Sequence, residues 1–158
     1  MEEKQAKRIR VIQACIAHQQ KIAAVAQQEM DSAQQQSNDY GANVDRYDSY
    51  RTKMMRARDM YAKQLSNANG SLRVLHELMR QPSPTLAMHG AVVETDKQWF
   101  FISVGAGKFV VNDPTSPTGM HYCFAISAQT PIYLAMKDKK VGDKFIVNGI
   151  EHTIQAIY

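Results

Sequence analysis

Residues 81–85 read QPSPT, and the spacing of apolar side chains changes across them. Before this stretch, apolar or small residues recur at Ile9, Ile12, Ile16, Ala23, Ala26, Met30 and Ala33, with Gln19 in the same series. They recur again at Met54, Tyr61, Leu65, Ala68, Leu72, Leu75 and Met79, with Arg58 in that series. Steps of three and four keep one stripe of a helix turned toward a partner helix. After QPSPT the period is two: GAVVET, WFFISV, KFVVN, HYCFAIS, KFIVNG and EHTIQAIY are short β-type segments separated by turn residues. Prolines divide the two regimes because they remove a donor and bias the preceding residue away from the helix. A chain with one long helical period followed by one strand period is of the α+β class.

The helical half predicts two helices, over about 3–37 and about 45–80, joined through QSNDYGANVD, a run rich in turn and capping residues. Asn43 or Asp45 can cap the second helix. Two helices of equal length joined by a short turn make an antiparallel coiled-coil hairpin over residues 1–80. At 1.5 Å per residue each helix is roughly 50 Å long. Gly70 is a weak point off the seam, where a local fray is expected. Residues 81–88 form the linker and 89–158 a small domain with a mostly antiparallel sheet. TPIYLAMKD supplies one short helix opened by proline. Of Trp99, Phe100 and Phe101, at most two enter any one core, since neighbours on a strand face opposite ways.

Net charge locates the chemistry. Residues 1–80 carry 13 Lys/Arg against 9 Asp/Glu, whereas residues 81–158 carry six of each. The basic excess therefore lies in the helices and suits a polyanionic partner, DNA included. No apolar run approaches the ~20 residues that a membrane helix needs. The opening stretch lacks a clean apolar core and a cleavage site, so a mature N-terminus and a cytoplasmic protein are expected. Cys15 and Cys123 belong to no metal or redox spacing and read as free, half-buried thiols. The five histidines form no motif.

The stretch ISAQTPIYLAMKDKKVGDKFIVNGIEHTIQAI resembles the C-terminal end of the bacterial Gre family of transcript-cleavage factors. Ile126-Ser127, Thr130-Pro131-Ile132, Ala135-Met136 and Lys139-Lys140-Val141-Gly142-Asp143 follow the family's order without a gap. The family carries Asp-x-x-Glu on the tip of its coiled coil, and this chain has Asp45-x-x-Asp48, one methylene shorter at the second acid. Asp138 stands where a glycine often ends the short helix, a place Asp tolerates because it enters the left-handed region more readily than most residues.

The resemblance implies a coiled-coil hairpin followed by an FKBP-like domain. It implies a monomeric factor, not an enzyme by itself, that enters the secondary channel of RNA polymerase and stimulates cleavage of nascent backtracked RNA. Asp45 and Asp48 would be the catalytic acids and would ligate magnesium only jointly with the polymerase active centre; the chain has no cofactor of its own. Magnesium takes one or two carboxylates plus waters and phosphates, so two exposed acids suit a site that a partner completes. Asp39, near the same tip, ranks lower because no acid follows three residues on. By the same resemblance Gln129, Thr130, Pro131 and Ile132 dock against the rim of the channel.

Each assignment has a plainer counterpart. Asp45 can be only a cap and Asp48 a first-turn acid that favours the helix dipole. Arg46, Arg51, Lys53, Arg56 and Arg58 can contact RNA phosphates or form a solvated face, and Arg51 and Arg58 lie on or near the seam, where a stem packs. Tyr47 and Tyr50 can stack on a base or cover the hairpin end. Thr130 and Pro131 also suit a helix start. Two other functions compete with cleavage: a non-cleaving Gre homologue that occupies the channel and modulates or inhibits transcription, and a peptide-binding module, for which the sequence shows no converging aromatic set.

Overall fold

The computed structural model describes residues 2–39 and 48–158. Two long helices, α1 (Glu2–Asp39) and α2 (Asp48–Met79), precede six strands and one short helix. The strands are β1 (Val92–Thr95), β2 (Trp99–Ile102), β3 (Gly107–Asn112), β4 (Met120–Ile126), β5 (Lys144–Val147) and β6 (Ile150–Ile157), with α3 (Pro131–Met136) between β4 and β5. Both expected helices and all six expected strands are present. Helix α2 runs through Gly70 without interruption.

The chain forms two compact units, one of residues 19–72 and the other of residues 1–18 with 73–158. Among the described residues of the first, buried positions are few and mostly small: Gln19, Ala26, Ala33, Ser37 and Ala68. Such a narrow stripe suits a single partner helix. Polar contacts join the two helices. Arg58 Nη1 donates to Gln34 Oε1 at 2.6 Å, and the Tyr50 hydroxyl donates to Gln36 Oε1 at 3.1 Å. Gln27 to Asp31 and Gln34 to Asn38, each at 3.0 Å, add i,i+4 side-chain bonds along α1. Burying alanines contributes little, at about 0.8 kcal/mol per CH₂ group.

In the second unit the same helix buries a wider stripe, with Arg8, Val11, Ile12, Cys15 and Ile16 all enclosed. Two buried positions per turn are needed because α1 there meets a sheet as well as a helix. The sheet order is β3-β4-β2-β1-β6-β5, antiparallel except that β2 and β4 run parallel. On one sheet face lie Val92, Trp99, Phe101, Phe109, Val111 and Cys123, by register. His18 of α1 approaches Phe109 there, with ring centroids 6.3 Å apart. The other face carries Val93, Phe100, Ile102, Ile126, Phe145, Ile154 and Ile157, closed by Tyr133 and Met136 of α3.

A one-residue bulge opposite Glu94 and Thr95 explains how Ile154 and Ile157, three apart, both enter that core. The β5–β6 hairpin turns on Asn148 and Gly149, both at positive φ as a two-residue turn of this type requires. Asp138 ends the α3 segment at φ 61°, the left-handed conformation expected of it.

Residues between α2 and β1 are tied to the fold. Ala87 is buried, its N–H donates to Lys139 O at 2.8 Å, and its carbonyl accepts from Asp138 N at 2.9 Å. Arg8 is fully buried and donates from Nε to Gly90 O (3.0 Å), from Nη1 to Gln81 O (2.8 Å) and from Nη2 to Leu78 O (3.0 Å). One guanidinium thus closes the C-terminal end of α2, where partial negative charge accumulates, and holds the strand that follows. Gly90 cannot be another residue without a shift: its φ is 92°, and a Cβ there would stand 3.0 Å from Leu78 Cδ2 and 3.3 Å from Arg8 Nη2.

Candidate functional site

Asp45, Arg46 and Tyr47 lie outside the described residues. Asp48 is the first residue of α2 and Asp39 the last of α1. A helix start is where a carboxylate is favoured, since the first N–H groups have no intrahelical partner. Tyr50, two residues into α2, reaches Gln36 near the end of α1, so its hydroxyl links the two helices.

The described basic residues separate by burial. Arg58 is half-buried, bonded across to Gln34 and paired with Asp59 at 2.8 Å. Arg51 is also half-buried, and its Nε is enclosed without a hydrogen-bond partner among the described residues. Lys53 and Arg56 are exposed and share one helix face at a spacing of three. Within the expected patch, these two are the exposed cations among the described residues.

Around α3, Thr130 is the N-cap: its Oγ1 accepts from Tyr133 N at 3.3 Å and donates to Ser127 O at 2.9 Å. Pro131 opens the helix, and both it and Gln129 are exposed. Ile132 packs against the core. The helix buries Tyr133 and Met136 but leaves Leu134 65% exposed, and the neighbouring strand β5 leaves Ile146 63% exposed. The two do not form one patch, since Phe145 faces the core that α3 closes and its strand neighbour Ile146 points to the other sheet face.

The sequence reading missed a cluster on the helix-covered sheet face. His121 and Trp99 have ring centroids 3.7 Å apart, and His121 Nδ1 stands 3.3 Å from Asp113 Oδ2. That is an electrostatic approach only, since neither ring nitrogen makes a hydrogen bond of good geometry. Glu94 lies on the same face, its carboxyl pulled up by burial against the lowering effects of Tyr158 and Lys7. Burial pushes the Cys15 thiol up to about 12 and the Cys123 thiol well above its usual value, so both are protonated and inert. Strand spacing places Trp99 and His121 on strands, but which strands adjoin is not local information. Among the described residues, no three His, Cys, Asp or Glu are grouped to hold a metal ion, and no helix is long and apolar enough to cross a membrane.

His152 sits on the opposite face, stacked on Phe145 with centroids 5.0 Å apart, and its Nδ1 is 3.2 Å from Thr95 Oγ1. The same oxygen accepts from Lys97 N and Gln98 N, which shapes the β1–β2 turn. Burial holds both His121 and His152 below the ordinary histidine pKa; Asp113 opposes this at His121, while at His152 Lys97 adds to it and Asp96 opposes it. The folded state therefore binds these protons less readily than the unfolded chain. Their contribution is complete above about pH 6.5 and is lost as pH falls through the lowered folded values. The midpoint of urea unfolding is expected to fall between about pH 7.5 and pH 5.5, and to fall less in His152→Phe. That comparison matters because Glu94, with its raised pKa, has the opposite sign. An equal fall in the variant would exclude His152 as a source.

Compared with protein-family models, curated proteins and solved structures, the chain matches none.

Proposed function

We propose that the chain is a Gre-like transcription factor whose paired helices form an antiparallel coiled-coil hairpin and whose sheet unit is the FKBP-like domain of that family. The observation that carries this reading is the Ile126–Asp143 stretch, which runs as strand, Thr-capped helix opened by proline, left-handed Asp138 and turn. The hairpin is supported by nested contacts. Gln36 meets Tyr50, Gln34 meets Arg58, and Arg8 meets Leu78, so residues earlier in α1 pair with residues later in α2.

In this function the 39–48 connection brings Asp45 and Asp48 to the polymerase active centre. Two carboxylates are hard oxygen donors that fit a magnesium ion whose remaining ligands the polymerase provides, and that ion supplies Lewis acidity and an activated water. The residues of this chain have three tasks. Asp45 and Asp48 present charge at the metal, Lys53 and Arg56 meet displaced RNA phosphates, and Gln129 to Ile132, with exposed Leu134, dock on the rim of the channel. Lys53 and Arg56 act by charge alone, so their contact is independent of RNA sequence.

The test is RNA cleavage in backtracked complexes of purified RNA polymerase, with and without the protein. Faster cleavage with the protein, and none by the protein and magnesium alone, is the expected result. Polymerase binding with unchanged cleavage would replace it with the non-cleaving channel modulator.

A further inference from the structure

Strand β4 starts at Met120, yet its parallel partner β2 starts only opposite Cys123, at Trp99. Residues Met120 to Tyr122 therefore pair with β3 on one side and, among the described residues, with no strand on the other. A groove of about 380 Å³ occupies that place, lined by Lys97, Gln98, Trp99, Lys108, Tyr122 and Phe124, with His121 beside Trp99. The β1–β2 turn forms one wall. Thr95 fixes its shape by accepting from Lys97 N and Gln98 N and donating to Gln98 O.

The lining combines aromatic rings with cations, and no carboxylate lines it among the described residues. Lys108 Nζ lies 4.0 Å from the centroid of the Tyr122 ring, and Tyr122 is 50% exposed. An exposed cation–π contact is worth only about 0.5–1 kcal/mol, so this ammonium is free to turn to a phosphate. Lys97 is less free, since its Nζ is 3.0 Å from Asp96 Oδ2 and also donates to Glu151 O. The unpaired β4 edge is three residues, or about 10 Å, long. That is too short for a peptide strand to gain more than a bond or two by pairing, but it matches one nucleotide.

We propose that this groove binds one nucleotide of single-stranded RNA, with the base on the exposed Tyr122 ring, the phosphate on Lys108 and the Gln98 amide at the base edge, while Trp99 lines the groove from the other face of the sheet. Only the choice of RNA rests on the polymerase reading; the groove itself does not depend on the tip acids. Stacking on aromatic side chains with cations alongside is how sequence-tolerant single-strand sites are built.

Trp99 is the only tryptophan in the chain, so its fluorescence reports occupancy. The full-length protein, without polymerase, is titrated with a four-nucleotide RNA at about 50 mM salt. Expected are saturable quenching of Trp99, weakening with added salt, and affinity reduced about tenfold or more in Tyr122→Ala. Lys108→Gln is expected to weaken binding severalfold and to flatten the salt dependence. Both side chains are exposed, and circular dichroism identifies any variant that fails to fold. Absence of quenching, or equal affinity in folded Tyr122→Ala, overturns the proposal. So does quenching by a four-residue apolar peptide but not by RNA, which assigns the edge to strand pairing. Since no polymerase is present, failure here leaves the cleavage result untouched.

Discussion

Asp45→Asn and Asp48→Asn are each expected to leave the protein folded and bound to RNA polymerase while lowering stimulated RNA cleavage at least tenfold. A tenfold loss corresponds to only about 1.4 kcal/mol of barrier, less than a lost charged ligand is expected to cost. Asparagine is the informative replacement because its carbonyl can still cap a helix while the carboxylate charge is gone. Asp48 opens α2, so a purely structural role is a real competitor at that position. Under that role, alanine costs roughly 1 kcal/mol of helix stability and asparagine costs almost nothing. The measurements are cleavage rate in backtracked complexes, polymerase affinity, and helix content by circular dichroism. Full cleavage by both asparagine variants would make the acids structural and leave the channel-occupying modulator as the better reading.

The second large effect concerns stability. Arg8→Met is expected to cost about 3–5 kcal/mol, because it removes one buried cation from three carbonyl groups at once. Methionine keeps much of the apolar stem, so the loss reports chiefly on the guanidinium fork. The Leu78 and Gln81 carbonyls at the end of α2 and the buried Gly90 carbonyl before β1 would all lose this donor, though Leu78 O keeps the bond from Gln81 N. Arg8→Lys should recover only part of the loss, since one ammonium cannot reproduce the planar fork that reaches all three. Burial lowers the Arg8 pKa, yet arginine remains charged across the working range. Urea unfolding followed by far-ultraviolet circular dichroism gives the comparison. A loss below about 1 kcal/mol would mean that water satisfies those carbonyls once the side chain is shortened.

Local information reached far in this chain. The switch of period at QPSPT placed two helices and six strands near their observed positions, because side-chain direction along an element follows from backbone geometry alone. The Thr130-Pro131 start of α3 and the left-handed Asp138 were legible for the same reason: capping and positive φ are preferences of single residues. The spacing of Asp45 and Asp48 was legible as a pattern, and so was the position of Arg58 on the seam, which the structure completes with Gln34.

Only the tertiary structure decided which elements meet. No spacing in the sequence marks Arg8, and it is buried because α1 there lies between the end of α2 and the sheet. Val11 and Cys15, off the seam, are enclosed for the same reason. The parallel pairing of β2 with β4 joins strands separated by β3, and it leaves the three-residue overhang that opens the groove. A period names the face a residue occupies; the neighbour on that face is set by contacts between distant segments, whose register no local spacing encodes.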